Sequence, residues 1–474
     1  MIFTSFEFIF FFALVLGLRA LCKSFAVEKI FLLVASYFFY GSWKPAYMLL
    51  LLAVSSFDYF IGTRLPGIAS PARRRIFLAM SLVLNLGLLG IFKYTNFFLS
   101  NLQNIATWLG YSVHFARLDI VLPAGISFFT FQSMSYTIDV YRGKLTPCRR
   151  YTDFLLFVAF FPQLFAGPIV RAVDFLPQLA RRVRASLREI EHGLAQFALG
   201  AVKKVVISDQ ISPHVDQIFA NPGLYDAPTL LFSMFGYAAQ IYCDFSGYSD
   251  MAIGLARMMG YRFGDNFRMP YAAATIAEFW QRWHISLSSW LRDYLYIPLG
   301  GNRGTAARTA ANLMATMLLG GLWHGASWNF IIWGALHGSA LILQRQITPH
   351  STRLLVRLGR VPNFLWACVG RTATLTVVLV GWVFFRAQGL GNATHFLTRI
   401  ARWDTSGIRT LSPQILTACA VLTLIHLTIQ RDRDWVAEIP ERSIAYRILA
   451  YAFLLFCIVA FGASDSSAFI YFQF

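Results

Sequence analysis

One histidine, His324, lies in a long stretch of the chain without acidic or strongly basic residues. Residues 309–344 contain no Asp, Glu, Lys or Arg. Burial disfavours the charged form of an imidazole, so we expect His324 to be neutral near neutral pH. A neutral imidazole can accept a proton from an attacking hydroxyl or act as a nucleophile itself. A purely structural role, a hydrogen bond to a neighbouring helix, is the alternative, and packing is the expected role of His337 in the same stretch.

A second histidine, His284, lies in a segment dense in aromatic and polar residues, Glu278–Tyr294. On one continuous helix Glu278 and Arg282 would be four residues apart and could form an ion pair. The same helix would place a row of side chains along one face, namely Trp280, His284, Leu287 and Leu291, with Trp283 and Trp290 beside it. The alternative is an interfacial helix whose tryptophans form an aromatic belt. A belt explains the tryptophans but not the density of polar residues.

Two further segments carry weaker chemical signals. The first, Tyr242–Asp250, contains Asp244 and Asp250 among aromatic and hydroxyl side chains. Two carboxylates could form an acid pair of the glycosidase kind, but we expect them to anchor buried polar networks or to pair with arginines such as Arg257. The second, Tyr296–Gly304, is a glycine-rich turn with one basic residue. Such a turn could hold a phosphate or a pantetheine group.

The composition indicates a membrane protein. Of the 474 residues, 57% are hydrophobic and only 14% are charged, whereas soluble domains contain about 25% charged residues. A soluble protein of this composition would lack the polar residues to cover its surface. Disorder is excluded as well, because so apolar a chain can bury ample surface. The net charge of +18 fits basic cytoplasmic loops and anionic lipid headgroups, and we expect no nucleic-acid partner.

The apolar segments predict a polytopic helical protein, because about 20 apolar residues cross the roughly 30 Å hydrocarbon core. The first segment lacks the basic start of a cleavable signal peptide, so we expect it to be retained as a helix. The predicted spans lie near residues 6–22, 28–43, 46–63, 76–97, 152–170, 190–208, 226–243, 309–322, 326–344, 370–386, 411–430 and 446–463.

Four stretches are predicted to deviate from simple spans. Residues 119–141 should form a broken or re-entrant segment, since irregular backbone at membrane depth must be buried or line a cavity. Residues 244–268 and 270–300 should form amphipathic or half-inserted helices around a cavity. As one helix, residues 309–344 would be about 54 Å long, which is too long for one crossing. We therefore expect the glycines around His324 to break this helix, namely Gly320, Gly321 and Gly325.

Several signatures of other protein classes do not occur in the sequence. There is no G-x-x-x-x-G-K-[ST], no G-x-G-x-x-G after a strand and no H-E-x-x-H. The six cysteines are scattered without a C-x-x-C pair, so neither a disulfide framework nor a zinc site is indicated. We expect no metal and no bound cofactor. Without a long polar linker or a repeat, residues 1–474 are predicted to form a single membrane domain.

A series of short motifs runs through the chain in the order Val34–Tyr40, Phe92–Tyr94, Leu122–Phe128, Asp139–Gly143, Phe161–Pro162, Ala166–Pro168, Asp244–Asp250, Glu278–Arg303, Gly321–Gly325 and Trp382–Ala387. This series resembles the membrane-bound O-acyltransferase (MBOAT) family, in particular the bacterial branch of alginate O-acetylation membrane subunits and teichoic acid D-alanyl transfer proteins. The core motifs occupy about 30–390, and residues 391–474 are less distinctive.

The resemblance implies a fold and a site. It implies an all-α polytopic bundle of about 11–13 transmembrane helices, with re-entrant and amphipathic helices around a central funnel. The family's catalytic histidine corresponds to His324 and its second polar site residue to His284. Eight further residues are candidates for contacts with the substrate or the donor tunnel: Trp323, Trp280, Arg282, Trp283, Ser286, Asn302, Asp244 and Ser246.

The resemblance also implies substrates and partners. The acyl donor would be a cytoplasmic thioester, acetyl-CoA or an acyl carrier protein, and the acceptor an exported polysaccharide. A periplasmic esterase-like (SGNH-type) protein would be the partner, and the bacterial inner membrane the location. A teichoic acid type D-alanyl transferase is the closest alternative. A transporter or a scaffold of a polysaccharide secretion complex is the alternative from a different class.

Overall fold

The computed structural model describes residues 1–358, 360–428, 438–461 and 469–470, with side chains described outside 349–364 and 427–428. In these ranges the chain is helical and contains no β-strand. It divides into two compact units, one made of Met1–Phe197 and Met251–Gly264, the other of Ala198–Asp250 and Asp265–Phe474. The prediction of a single membrane domain stays a prediction.

The first unit contains the N-terminal helices and the end of a long later helix, α12. Its helices are α1 (Phe6–Leu21), α2 (Phe25–Gly41), α3 (Ala46–Arg64), α4 (Pro71–Leu89), α5 (Thr95–Trp108), α6 (Ile126–Tyr141), α7 (Tyr151–Ala159), α8 (Phe161–Leu164), α9 (Ala172–Leu179) and most of α10 (Leu187–Ala201).

The second unit contains the two histidine segments. Its helices are a π-helix (Val202–Ser208), α11 (Asp209–Ala220), α12 (Ala227–Met258) as far as Asp250, α13 (Ile276–Arg282), α14 (Ile285–Leu291), α15 (Ala306–His324), α16 (Trp328–Leu358), α17 (Arg360–Arg386), α18 (Leu390–Ala401), α19 (Pro413–Thr428) and α20 (Ile444–Phe461).

Four helical stretches in the described ranges are long and apolar enough to cross a membrane. They are Ala46–Gly67, Pro71–Trp108, Leu365–Arg386 and Ile444–Phe461. With the helical content, they confirm the prediction of an all-helical polytopic membrane protein. The irregular part of residues 119–141 is 119–125, which are not helical. The helix α6 begins directly after Gly125, whose φ is 74°.

The structure differs from the predicted spans at two places. Residues 152–170 do not form one helix, because α7 ends before Phe160 and Pro162 lies in the first turn of α8. Proline cannot continue a helix, since it lacks the N–H that the helix requires. Residues 226–268 are not divided near 243, because α12 is one helix of 32 residues. Its polar second half is buried, and ion pairs described below make this possible.

A buried acid links three helices of the first unit. Asp58 is an acidic residue within the apolar helix α3, and its side chain is fully buried. Its carboxylate accepts hydrogen bonds from Ser81 Oγ at 2.5 Å, from Asn85 Nδ2 at 2.7 Å and from Ser133 Oγ. Because buried polar groups require partners, Asp58 holds α3 against α4 and α6.

In the second unit, α15 and α16 form an antiparallel hairpin with direct backbone contact. A Cβ atom added at Gly321 would lie 2.2 Å from the carbonyl oxygen of Phe330, and one at Gly334 would lie 2.4 Å from that of Met317. Small residues allow such close approach of membrane helices. The glycines thus fix the position of both helix ends, including the turn that carries His324.

We expect Gly334→Ala to destabilise the protein. The added methyl group would overlap backbone atoms of α15, and overpacking of this kind costs about 1–3 kcal/mol. The melting temperature of the detergent-purified protein should fall. Gly87→Ala in α4, where a Cβ atom would meet nothing within 4 Å, is the matched control and should leave it unchanged. Equal melting temperatures for the two variants would contradict the proposed backbone contact.

Candidate active site

His324 lies at the break that the sequence predicts. It is the last residue of α15, and α16 begins four residues later at Trp328. The residue is only 4% exposed. Its imidazole is surrounded by three aromatic rings at steep interplanar angles, with centroid distances of 5.0 Å to Trp323, 5.0 Å to Trp333 and 5.2 Å to Phe385. The structure therefore places this imidazole in an aromatic, water-poor environment.

His284 occupies the junction between α13 and α14. It is fully buried, and its backbone adopts the left-handed conformation, with φ 43° and ψ 55°. Non-glycine residues rarely adopt this conformation, and the residues that do so often belong to functional sites. The kink separates α13 from α14 and directs the imidazole into the core of the second unit.

Asn266 determines this local conformation. Its backbone oxygen accepts the N–H of Ile285 at 2.9 Å. Its side-chain Oδ1 accepts the N–H of Ser286 at 3.2 Å and the Ser286 hydroxyl at 2.8 Å. Asn266 therefore caps the start of α14, where helical N–H groups lack intrahelical acceptors. Asn266 could not be recognised from the sequence, because it lies in a polar loop without a motif.

The same amide selects one tautomer of His284. Nδ1 of His284 lies 3.2 Å from Asn266 Oδ1. Two donors of Ser286 already converge on this atom, which identifies it as the amide oxygen, and an amide oxygen only accepts hydrogen bonds. Nδ1 therefore carries the hydrogen, and the lone pair of the neutral imidazole is at Nε2.

Trp323 is the common neighbour of the two histidines. Its ring centroid lies 5.0 Å from that of His324 and 6.0 Å from that of His284. On the other side of His284, Phe245 makes an edge-to-face contact at 4.6 Å. The structure thus brings His324, Trp323, His284 and Ser286 into one cluster.

Residues 278–294 do not form one helix. The chain forms α13, the kink at His284, α14 and then a π-helix from Arg292 to Tyr296. The predicted ion pair between Glu278 and Arg282 is present, at 2.9 Å. Arg282 also donates to the backbone oxygen of Arg268 at 3.2 Å. Its guanidinium therefore stabilises α13 and the preceding loop.

Two of the candidate tryptophans, Trp280 of α13 and Trp283 directly after it, belong to an aromatic layer next to the cluster. Trp280 contacts Trp333 at 5.6 Å and His337 at 5.2 Å. Trp283 lies 4.9 Å from Trp382 and stacks on Phe279 at 5.7 Å. Trp280 is linked to His324 through the ring of Trp333, and Trp283 directly precedes His284 in the chain. Their role as tunnel residues stays a prediction.

Asn302 belongs to the glycine-rich turn, and its side chain is engaged there. Its Oδ1 accepts the hydroxyl of Tyr296 at 2.6 Å and the guanidinium of Arg345 at 2.8 Å. Gly300 and Gly301 have φ values of 118° and 55°, which favour glycine. No contact of Asn302 with either histidine occurs among the described residues, and its role as a tunnel residue stays a prediction.

Asp244 lies in a buried ion-pair cluster on α12, where Ser246 is also buried. Lys204 forms ion pairs with Asp244 at 2.6 Å and with Asp209 at 2.8 Å. Asp244 also accepts the backbone N–H of Ile470 at 2.9 Å. Asp250 pairs in the same way with Lys203 at 2.6 Å. The expected buried network is present, and lysines of the π-helix are partners of both carboxylates. Among the described residues, no group of three or more His, Cys, Asp or Glu could hold a metal ion.

Comparison with known proteins identifies the family. The model of the membrane-bound O-acyltransferase family matches residues 150–369. A probable alginate O-acetylase of Azotobacter vinelandii is 44% identical over 431 residues, which cover 90% of this chain and 83% of that protein. The chain belongs to the membrane-bound O-acyltransferase family.

Two further relatives show the range of this MBOAT protein's similarities. A peptidoglycan O-acetyltransferase of Helicobacter pylori is 34% identical, over 96% of this chain and 93% of that protein. A teichoic acid D-alanyltransferase of Bacillus subtilis is 30% identical, over 47% of this chain and 59% of that protein. As an MBOAT protein, the chain is an acyltransferase. Both His284 and His324 lie in the segment that matches the family model.

We expect Asn266→Ala to reduce acyl transfer strongly and Asn266→Asp to reduce it less. Alanine removes the cap of α14 and the acceptor that selects the His284 tautomer, whereas aspartate retains an acceptor at the same place. Acyl transfer should fall by about 10- to 100-fold in Asn266→Ala, the range found when a supporting hydrogen bond of a site residue is removed. Initial rates over a pH series provide the measurement. Equal rates for wild type and Asn266→Ala at all pH values would contradict this role.

We expect Lys204→Met to destabilise the protein by about 3–5 kcal/mol, since it leaves two buried carboxylates without their cation. The double variant Lys204→Met/Asp244→Asn should recover part of this loss, because one of the two charges is also removed. Thermal unfolding of the two variants in detergent measures the difference. If the double variant is less stable than Lys204→Met, unpaired buried charge is not the cause of the lost stability.

Proposed function

We propose that the protein is an O-acetyltransferase of the bacterial inner membrane that acetylates hydroxyl groups of an exported polysaccharide. The donor would be a cytoplasmic thioester, acetyl-CoA, and the acetyl group would cross the membrane by way of His324. The names of the relatives with high coverage support this proposal, since they are alginate and peptidoglycan O-acetylating proteins. An SGNH-type periplasmic partner would deliver the acetyl group to the polymer.

The observation that carries the proposal is the enclosure of His324 by Trp323, Trp333 and Phe385 at the tip of the α15–α16 hairpin. A thioester is already activated, so an enzyme must mainly position it, supply a base and exclude water. The aromatic rings exclude water, which would otherwise hydrolyse the thioester. The neutral imidazole supplies the base or the nucleophile.

Two routes are possible at His324. As a nucleophile, the imidazole nitrogen forms a bond to the carbonyl carbon while the carbon–sulfur bond breaks and the thiolate leaves; the hydroxyl oxygen then attacks the acetyl carbon, the carbon–nitrogen bond breaks, and the hydroxyl proton is passed to the thiolate. As a base, the imidazole takes the proton of the hydroxyl while its oxygen forms a bond to the carbonyl carbon; the thiolate leaves with the electron pair of the carbon–sulfur bond and receives the proton from the imidazolium. Both steps require an unprotonated nitrogen.

In either step, His284 would act as a hydrogen-bond acceptor. Its Nδ1 hydrogen is directed to Asn266 Oδ1, so the neutral ring presents the lone pair of Nε2. Two roles are possible for His284, namely polarising the thioester carbonyl or orienting His324. Polarising a carbonyl requires a donor, so the tautomer favours the orienting role.

D-alanyl transfer from a carrier protein remains the second candidate, and the teichoic acid relatives favour it over about half of the chain. The two candidates differ in the donor. With D-alanyl carrier protein in place of acetyl-CoA, the proposed acetyltransferase should show no thiol release above background.

We expect detergent-purified protein to release thiol from acetyl-CoA in the presence of a hydroxyl acceptor, and His324→Ala to reduce this rate by at least about 1,000-fold, as loss of a catalytic base or nucleophile does. His395→Ala, a histidine at an exposed position of α18, is the matched control and should retain the wild-type rate. Full activity of folded His324→Ala would refute the role of His324.

A further inference from the structure

The walls around His324 differ in origin. Trp323 is the preceding residue of the same helix, whereas Trp333 comes from α16 and Phe385 from α17. The ring centroids of Trp333 and Phe385 are 5.8 Å apart. The interplanar angle with the imidazole is 80° for Trp333 and 70° for Phe385. Two bulky rings from two different helices therefore pack against the imidazole in addition to Trp323.

Both rings are held firmly in place. Trp333 packs against His337 at 4.7 Å and against Trp280 at 5.6 Å. Gly381 of α17 lies so close that an added Cβ atom would be 3.3 Å from the Trp333 ring. Trp333 is 1% exposed. Because it has neighbours on these sides, its ring cannot move aside without displacing other buried groups.

Phe385 is fixed in the same manner. Its ring contacts Phe330 at 4.9 Å and Trp382 at 5.4 Å, nearly at right angles in both cases. It is 2% exposed. Protein interiors of this kind are close-packed and yield little to added volume.

We propose that Trp333 and Phe385 limit the acyl group that this enzyme transfers to about two or three carbon atoms. The proposal rests on the proposed function, since it requires the acyl group to be transferred at His324. A reacting carbonyl carbon must come within about 3–3.5 Å of the imidazole nitrogen. The rings are in van der Waals contact with the imidazole. An acyl chain of more than two or three carbon atoms would therefore collide with Trp333 or Phe385.

Each methylene group that the site cannot accommodate lowers the rate appreciably. One methylene group in a tight apolar pocket changes specificity by about 10- to 200-fold. Butanoyl thioesters exceed the limit by one or two methylene groups, so with the wild-type protein they should react at least about tenfold more slowly than acetyl thioesters. If the two rings cause the selection, it should change when either is made smaller.

The test compares acetyl-CoA, butanoyl-CoA and hexanoyl-CoA as donors for the wild-type protein, Phe385→Ala and Trp333→Phe. The measured quantity is the ratio of kcat/KM for butanoyl to that for acetyl. Phe385→Ala should raise this ratio at least about tenfold, mainly through faster butanoyl transfer. Trp333→Phe removes less volume and should raise it by a smaller factor; it also serves as the second variant if Phe385→Ala does not fold.

Phe396→Ala is the matched control. Phe396 of α18 is as buried as Phe385, but its ring stacks on Phe219 at 4.7 Å, in a different part of the core. This variant should keep the wild-type ratio even if it is less stable. A rise in Phe396→Ala equal to that in Phe385→Ala would overturn the proposal, because general loosening of the core would then explain both.

The outcomes separate the two proposals. If the wild-type protein transfers acetyl groups but neither variant changes the ratio, Trp333 and Phe385 do not select the acyl group, and the proposed function stands. If folded wild-type protein transfers no acyl group from any of the three thioesters and His324→Ala is indistinguishable from it, the proposed function fails. If wild-type protein prefers hexanoyl-CoA, the size limit is refuted directly.

Discussion

Direct backbone contact between α15 and α16 is the constraint on which the candidate site depends. Carbonyl oxygens of Met317 and Phe330 occupy the places where side chains of Gly334 and Gly321 would otherwise be. The contact brings Trp333 back against the end of α15, where His324 lies. Any larger residue at the two glycines would separate the helices and open the aromatic enclosure, so packing and site geometry have the same origin.

The two histidines are controlled in different ways. His324 is placed by helix packing and has aromatic neighbours. His284 is placed by hydrogen bonds to Asn266, which accepts the backbone N–H of Ile285 and the Nδ1 hydrogen of His284. Packing fixes the position of the His324 imidazole and hydrogen bonds fix that of His284, so the two imidazoles lie in different chemical environments. This is the usual way in which similar side chains come to perform different tasks.

The sequence was informative where physical constraints act locally. The uncharged stretch 309–344 is too long for one crossing, so the break beside His324 could be predicted from length and glycines. The motif series correctly indicated the MBOAT family. The kink at His284 could not be predicted, because its cause is Asn266, which is 18 residues away. The partner of Asp244 was also missed, since Lys204 is 40 residues away and spacing gives no sign of such a pair.

The buried lysines have a consequence for the way in which the protein enters the bilayer. Lys203 and Lys204 leave the ribosome before Asp244 and Asp250, and at the centre of a membrane helix each isolated charge costs about 2.5–3.5 kcal/mol on insertion scales. Neither the π-helix nor α12 can therefore settle alone without an uncompensated charge. Each needs the other for neutralisation, which favours joint insertion of the pair as one unit. Ile470 contributes a backbone N–H to the same cluster, so this network joins residues that are far apart in the sequence.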